Sequence, residues 1–426
     1  MPFYNAPDGQ YHFITSTAIV KLAPDISRYG ELNIGTGLEA QKIFYKDGKR
    51  FEEFYQNEVI LLSEDKIPRN LNLDSKFNYN YVGHLIPALA VKIGYHLSPT
   101  LGMMMTVGRL LTVFCYSLIM FFIIKFLKKG KLFFTTIALS PVILNSFASF
   151  TYDSFGFVAV AFILMLCINA IVSKKFILKE IIALLISLPI FIIGVKPNLY
   201  FILLLIPMTL IYCYKQEELE SAVYQFERNQ QVKKMDKSLL LIIFSILISG
   251  TITLVILTGN YGGIFAVFRR LFVTFTFRLY TTDSPADIIN LLASPYPTIN
   301  YTPTIIMIIW FLLVTYILFS EGFYHDSKWL SIGITAAFCL GVISTYVGFI
   351  GYGPPLEYGR QDSIQGVQGR YMTPLLLLFS PICANAKIHR LFNKMEKKTA
   401  LWMIAVVVLI STFLLVTNTL YATANL

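Results

Sequence analysis

Two polar residues near the start of the chain, Asp8 and His12, stand four apart in Pro7-Asp8-Gly9-Gln10-Tyr11-His12-Phe13. On a helix that spacing puts both side chains on one face. A carboxylate there could take a proton from an acceptor hydroxyl or hold a metal ion. The competing reading of Asp8 is an N-cap, because a short acid commonly opens a helix. A second acid, Asp153 in Thr151-Tyr152-Asp153-Ser154, opens an apolar run, and the same alternative applies to it.

The other candidates are cations. Arg109 lies eight residues inside an apolar run, about 12 Å deep at ~1.5 Å per residue. A charge at that depth either serves function or snorkels to the headgroups, and Asp153 would be a partner in both cases. Lys196 stands alone in the tight turn Gly194-Val195-Lys196-Pro197-Asn198, where it either pairs with a phosphate or carboxylate or faces the interface. Arg370 sits in Gly366-Val367-Gln368-Gly369-Arg370-Tyr371, ahead of Thr373-Pro374. Its planar fork suits a phosphate, and the glycines permit close backbone approach. Arg269, Arg270 and Arg278 fall in the aromatic, acid-free stretch 263–280. That is the composition of a helix in the membrane interface with its arginines on lipid phosphates.

Soluble-enzyme signatures are absent: there is no GxxxxGK[ST], HExxH, GxSxG or GxGxxG. The 5 histidines lack zinc spacing. The 5 cysteines, Cys115, Cys167, Cys213, Cys339 and Cys383, form no CxxC and sit in or beside apolar runs, as small apolar side chains.

What must position these residues is a set of membrane helices. Hydrophobic residues make up 55% of the 426, charged residues 14%, and the mean hydropathy is +0.62. A soluble domain carries about 25% charge. A span needs about 20 mostly apolar residues, and lipid-exposed backbone must be helical. The qualifying runs are 101–126, 131–149, 153–172, 177–193, 197–213, 238–258, 303–320, 328–350, 371–386 and 400–420. The fold class is therefore all-α and integral to the membrane, with about ten spans. Pro141, Pro189, Pro207 and Pro381 are expected to kink these helices rather than break them.

The net charge of +10 is a matter of loops and not of nucleic acid. One set of connecting loops holds 18 Lys and Arg, and the alternate set holds 6. The first set is cytoplasmic by the positive-inside rule. Residues 150–153, 194–198, 259–302 and 351–370 then face outward, and 214–237 and 387–398 face inward. Residues 1–100 hold 10 basic and 11 acidic residues with no run long enough to span. They form an outer-face region preceding a transmembrane domain at 101–426, with an amphipathic Tyr/Pro helix at 79–96 lying on the surface. An outward tail of that length calls for a preceding apolar span, and an eleventh, N-terminal one is expected upstream of Met1.

Read in order, these pieces resemble a known bacterial membrane family. They are Pro-Asp-x-x-x-His-Phe, the Tyr/Pro helix, Gly108-Arg109-Leu110, an Asp opening a span, Lys196-Pro197 and Gly366-Val367-Gln368-Gly369-Arg370-Tyr371-x-x-Pro374. The family is the domain of unknown function 2142, grouped with the GT-C glycosyltransferases. The Gly-Val-Gln-Gly-Arg-Tyr stretch is the most specific piece. The resemblance implies a polyprenyl-phosphate-linked sugar as donor. It puts Asp8 in the role of base or metal ligand (Mg or Mn), with no other cofactor. His12 and Asp153 would line the site, and Arg109, Lys196 and Arg370 would hold the donor phosphate. The acceptor would be a cell-envelope glycan, lipid or protein outside the bacterial cytoplasmic membrane. One departure bears on the metal: where the family commonly reads Asp-Glu, Gly9 follows Asp8 here. The other readings are a transporter or flippase of lipid-linked saccharides and a non-catalytic envelope-assembly protein. Transporters typically carry paired repeats and midplane sites. This chain has no evident repeat, and its polar residues gather at the outer boundary.

The topology is testable in a cysteine-free background. An impermeant thiol reagent added from outside is expected to label Asn290→Cys and to leave Gln230→Cys unlabelled; the reverse pattern would overturn the orientation.

Overall fold

The computed structural model describes residues 8–26, 50–67, 71, 73, 75–226, 259, 261–276, 291–295, 302–350, 364, 366–385 and 396–424. Among these residues the chain is helical, with only isolated bridges such as Glu58 with Thr100 in place of strands. Five helices are long and apolar enough to cross a membrane: Leu101–Phe126, Asp153–Ser173, Pro197–Glu217, Lys328–Gly348 and Lys397–Asn418. Leu178–Gly194 and Thr304–Ser320 are apolar and 17 residues each. The run 238–258 lies outside the described residues.

Two expected spans are broken. The 131–149 run forms two short helices, Lys131–Ala138 and Pro141–Phe147. Proline at the first position of a helix has no N–H to give to the preceding turn, so Pro141 starts a new helix here instead of kinking one. The 371–386 run is likewise divided, into a 3-10 turn at Gly369–Tyr371 and short helices at Thr373–Leu376 and Phe379–Cys383. Polar backbone exposed by such breaks must find partners inside the protein. The segment 291–295 supplies one at the Pro141 break and holds a side-chain hydroxyl at the other. The Leu292 carbonyl accepts from the Val142 N–H at 3.2 Å, and the Leu291 carbonyl accepts from the Thr373 hydroxyl at 2.7 Å. The expected outer loop 259–302 thus sends Leu291, Leu292 and Ala293 into the core. By contrast, the helix Leu178–Gly194 runs through Pro189, as expected of a kink.

The helix Asp153–Ser173 is the centre of the bundle. Of its most apolar stretch 78% is buried, against 17–33% for the other four long helices. It packs on Leu101–Phe126, Leu178–Gly194 and Leu205–Phe226. The outer helices show bulky side chains such as Leu110, Phe114 and Phe121, as lipid-facing positions require. A second apolar cluster seats the N-terminal region on the bundle. In it Phe13, Ile14, Phe54 and Leu71 meet Leu101, Met104, Met105 and Phe150. The helix Gly9–Ile19 rests on Leu85–Leu97, which in turn lies along Leu101–Phe126. The expected surface helix at 79–96 is two helices, Tyr79–Gly83 and Leu85–Leu97, and His84 occupies the break.

Candidate functional site

Asp153 is the first residue of the central helix, and its place there explains why it is available. The N-cap is Tyr152, so the carboxylate does not cap the helix. Its backbone N–H is satisfied by the Thr151 hydroxyl at 3.2 Å. The side chain instead lies 2.9 Å from Lys196 Nζ and 3.4 Å from Arg370 Nε. A helix N-terminus adds its own partial positive charge. A nearly buried carboxylate thus lies between two cations that are 43 and 217 positions away in the chain.

Lys196 reaches this position because Gly194 lets the turn close. A Cβ at Gly194 would fall 2.4 Å from the Phe155 ring and 2.7 Å from Val82. The ammonium lies between two rings, 3.9 Å from the centroid of Tyr371 and 4.3 Å from that of Tyr152. Such cation–π contacts contribute about 0.5–2 kcal/mol each. Burial works against the charge of Lys196, but Asp153 outweighs it and the pKa is raised. Arg370 is carried by the 3-10 turn Gly369–Tyr371 and is buried. Burial opposes its charge too, and Tyr371 and Asp153 more than offset it, so its pKa is raised. Its Nη2 lies 3.3 Å from Asp8 Oδ2 and 3.3 Å from the Tyr371 hydroxyl.

Asp8 stands at the N-cap position of the helix Gly9–Ile19 but makes no capping bond. Its φ of 54° is left-handed, a conformation that costs a non-glycine residue about 1–3 kcal/mol. The half-exposed side chain pairs with Arg370 and lines a cavity of about 820 Å³. Asp8, His12, Tyr152, Lys196, Gln368 and Tyr371 line it. His12, buried, lies with its Nδ1 2.9 Å from His84 Nε2, and His84 Nδ1 meets the Asn80 carbonyl. The edge of Tyr152 packs against both imidazoles. Burial drives the pKa of His12 well below its usual value, reinforced by His84, Arg370 and Lys196. Burial also pulls His84 down, to about 4.

The structure thus brings together five of the residues singled out in the sequence: Asp8, His12, Asp153, Lys196 and Arg370. Arg109 is not among them. It is half-buried on Leu101–Phe126, and it is neither an ion-pair partner of Asp153 nor part of the cavity lining. Arg269 is exposed on the helix Gly263–Thr276, whose Phe265, Phe268 and Phe272 are also exposed. Arg270 corrects the expected lipid contact. It is buried, and its guanidinium donates to the Ile350 carbonyl at 2.8 Å, because it faces the bundle from the opposite side of that helix. Arg278 lies outside the described residues. His84 and Tyr371 join this cluster through His12 and Lys196, and the sequence reading assigned a role to neither. The Gly83-His84 step inside the 79–96 run was the available signal for His84: a Cβ at Gly83 would fall 2.4 Å from Tyr152 Cβ, so the glycine seats the histidine against the site.

The donor set does not suit a resident divalent ion. Among the described residues no three His, Cys, Asp or Glu gather in metal-binding range, and the carboxylates of the site both face cations. What the arrangement can do is receive an anion: a lysine lining a large cavity, with a forked arginine in the small pocket beside it, are groups that bind phosphate.

The family profile described as "Predicted membrane protein (DUF2142)" matches residues 63–379. The chain belongs to the DUF2142 family. The DUF2142 match includes His84, Asp153, Lys196 and Arg370 and begins downstream of Asp8 and His12. No curated protein and no solved structure matches the chain.

Removing one member of a buried ion cluster strands the others. Asp153→Asn is expected to destabilise the protein by about 3–5 kcal/mol, read as a lower melting temperature in detergent. Asp153→Asn/Lys196→Met, which removes one charge of each sign, is expected to recover most of it. Equal melting of the single and double variants would contradict the coupling.

Proposed function

We propose that this protein is a membrane glycosyltransferase that moves a sugar from a polyprenyl-phosphate donor to a cell-envelope acceptor. The observation that carries the reading is the pair of cations around Asp153: Lys196, largely buried, lines the large cavity, and Arg370, buried, stands in the small pocket that shares Lys196, Tyr152 and Tyr371 with it. They share a single nearly buried carboxylate, Asp153, while Asp8 at the mouth is half exposed. An incoming phosphate could therefore take the place of Asp8 on Arg370, or join it, without disturbing the inner pair.

The chemistry follows from the charge. In transfer from a sugar phosphate the bond from C1 to the phosphate oxygen breaks and negative charge grows on that oxygen. Fixed cations beside the leaving group stabilise the transition state more than the ground state. Lys196 is held rigidly between two tyrosines, so little reorganisation is needed as the charge develops. Asp8 and His12 line the same cavity and are the candidate acceptors for the hydroxyl proton. No step needs a metal. Asp153 opens the central helix, so the cluster sits at one end of the bundle, where a lipid headgroup would lie. By the distribution of Lys and Arg that end is the outer face of the bacterial cytoplasmic membrane.

The test uses the charge-balanced variant, which separates binding from folding. Wild-type protein in nanodiscs is expected to bind undecaprenyl phosphate and to release it from an undecaprenyl-phosphate sugar while the sugar appears on an envelope extract. Asp153→Asn/Lys196→Met is expected to bind the lipid about 10–100-fold more weakly, the loss of one charged hydrogen bond. Unchanged binding would refute the phosphate assignment. Sugar-lipid crossing the bilayer intact, without transfer, would favour the transporter reading instead.

A further inference from the structure

The histidine pair carries information beyond its proximity to the site, because its hydrogen bonds fix which nitrogens bear protons. A backbone carbonyl can only accept, so His84 Nδ1, facing the Asn80 carbonyl, must carry hydrogen. His84 is neutral, since burial holds its pKa at about 4, and its Nε2 is then a bare acceptor. His12 Nδ1, 2.9 Å away, must donate to it. His12 is neutral as well, so its own Nε2 is left with a free lone pair. Among the described residues none hydrogen-bonds to that atom, and His12 lines the large cavity.

We propose that His12 Nε2 takes the proton of the acceptor hydroxyl, and that His84 is the positioning residue that holds His12 in the tautomer able to do so. This rests on the glycosyl-transfer reading above. The logic is that of any base oriented by a third group: the second histidine and the carbonyl behind it select one tautomer and one ring orientation. Asp8 is less suited to the task, because its carboxylate is already engaged by Arg370 at 3.3 Å.

The step balances. The acceptor oxygen forms a bond to sugar C1 as the C1–O bond to the donor phosphate breaks. The electron pair of that bond goes to the phosphate oxygen facing Lys196 and Arg370, and the hydroxyl proton goes to His12 Nε2. The imidazolium then returns the proton to the released phosphate. The groups facing His12 are Asp8 and Tyr11 on its own helix or at its cap, His84 and Tyr152 across from it, Lys196 at the cavity wall and Arg370 in the small pocket beside Lys196. The two cations disfavour an imidazolium in the empty site. A bound phosphate supplies the negative charge that offsets them, so His12 becomes a better base when the donor is in place.

Two measurements on the full chain test this. The first is nitrogen-15 NMR of the histidine rings at neutral pH, which reads tautomers without any substrate. Hydrogen on Nδ1 of both His12 and His84 is expected; His12 charged, or carrying hydrogen on Nε2, overturns the proposal. The second is turnover of an undecaprenyl-phosphate sugar with envelope extract as a function of pH. His12→Gln is expected to lose about 10²–10⁴ in rate. Asp8→Asn, which loosens Arg370, is expected to lose less and to keep the wild-type acid limb. In wild type the acid limb of kcat/KM, which reports the empty site, lies below the usual histidine range, because there His12 stays neutral until the pH is well under 6.5. His84→Phe removes one cause of that depression, so the limb is expected to move to higher pH. A purely structural His84 would lower the rate equally at every pH and leave the limb in place, which contradicts the proposal. A larger loss in Asp8→Asn than in His12→Gln assigns the base to Asp8 and also overturns it. If wild type turns over no sugar lipid while the tautomers are as assigned, the transfer reading fails and takes the catalytic role with it, leaving only the hydrogen-bonded pair.

Discussion

The arrangement depends on one interaction: Asp153, at the start of the most buried helix, held between Lys196 and Arg370. Taking such charges out of water costs several kcal/mol per ion, and only close opposite charges repay it. At ~4 Å and an effective dielectric of about 20, one such pair is worth about 4 kcal/mol. Asp153 therefore dictates where two distant loops must go. The 194–198 turn closes through Gly194, and the 366–371 segment enters as a 3-10 turn, because each delivers its cation to the same carboxylate. Asp153 and the half-exposed Asp8 together match the two cations, so an anion that displaces Asp8 from Arg370 meets a charge left open for it.

The outer layer completes the site instead of covering it. The helix Gly9–Ile19 brings Asp8 to Arg370 and His12 to His84, and an apolar cluster around Phe13 and Met104 holds it in place. The left-handed backbone at Asp8 is a strain that an ordinary helix start would not carry. The aromatic sandwich around Lys196 fixes the ammonium in position, so that its charge is set in place before any substrate arrives.

Much of this was legible in the sequence, and what was not has physical reasons. Composition and the apolar runs disclosed a helical membrane protein, and the polar residues that break those runs disclosed Asp153, Lys196 and Arg370. A charge beside an apolar run stands out, and its partners can be far away in the chain without weakening that signal. The breaks at Pro141 and Pro374 were less legible, because a proline in an apolar run either kinks or ends a helix depending on whether another segment can satisfy the freed backbone. At Pro141 the Leu292 carbonyl does so by accepting from the Val142 N–H, and nothing local in that run announces it. Arg270 misled for a related reason. Period and composition place an arginine on a helix but do not say which side of that helix meets the bundle; Val267, Arg270 and Thr274 turned out to be that side. His84 was overlooked because a lone histidine in an amphipathic run is ordinary until the residue four positions before it, Asn80, and His12 are seen to complete its hydrogen bonds.

The most direct test of the account is a structure of the full chain in nanodiscs supplied with undecaprenyl phosphate. The account predicts phosphate density within about 4 Å of both Lys196 Nζ and the Arg370 guanidinium, the range of a direct ion pair, with His12 facing it across the cavity. Lipid phosphate bound elsewhere on the protein, with the cavity between Asp8 and Tyr371 left to water, would contradict it.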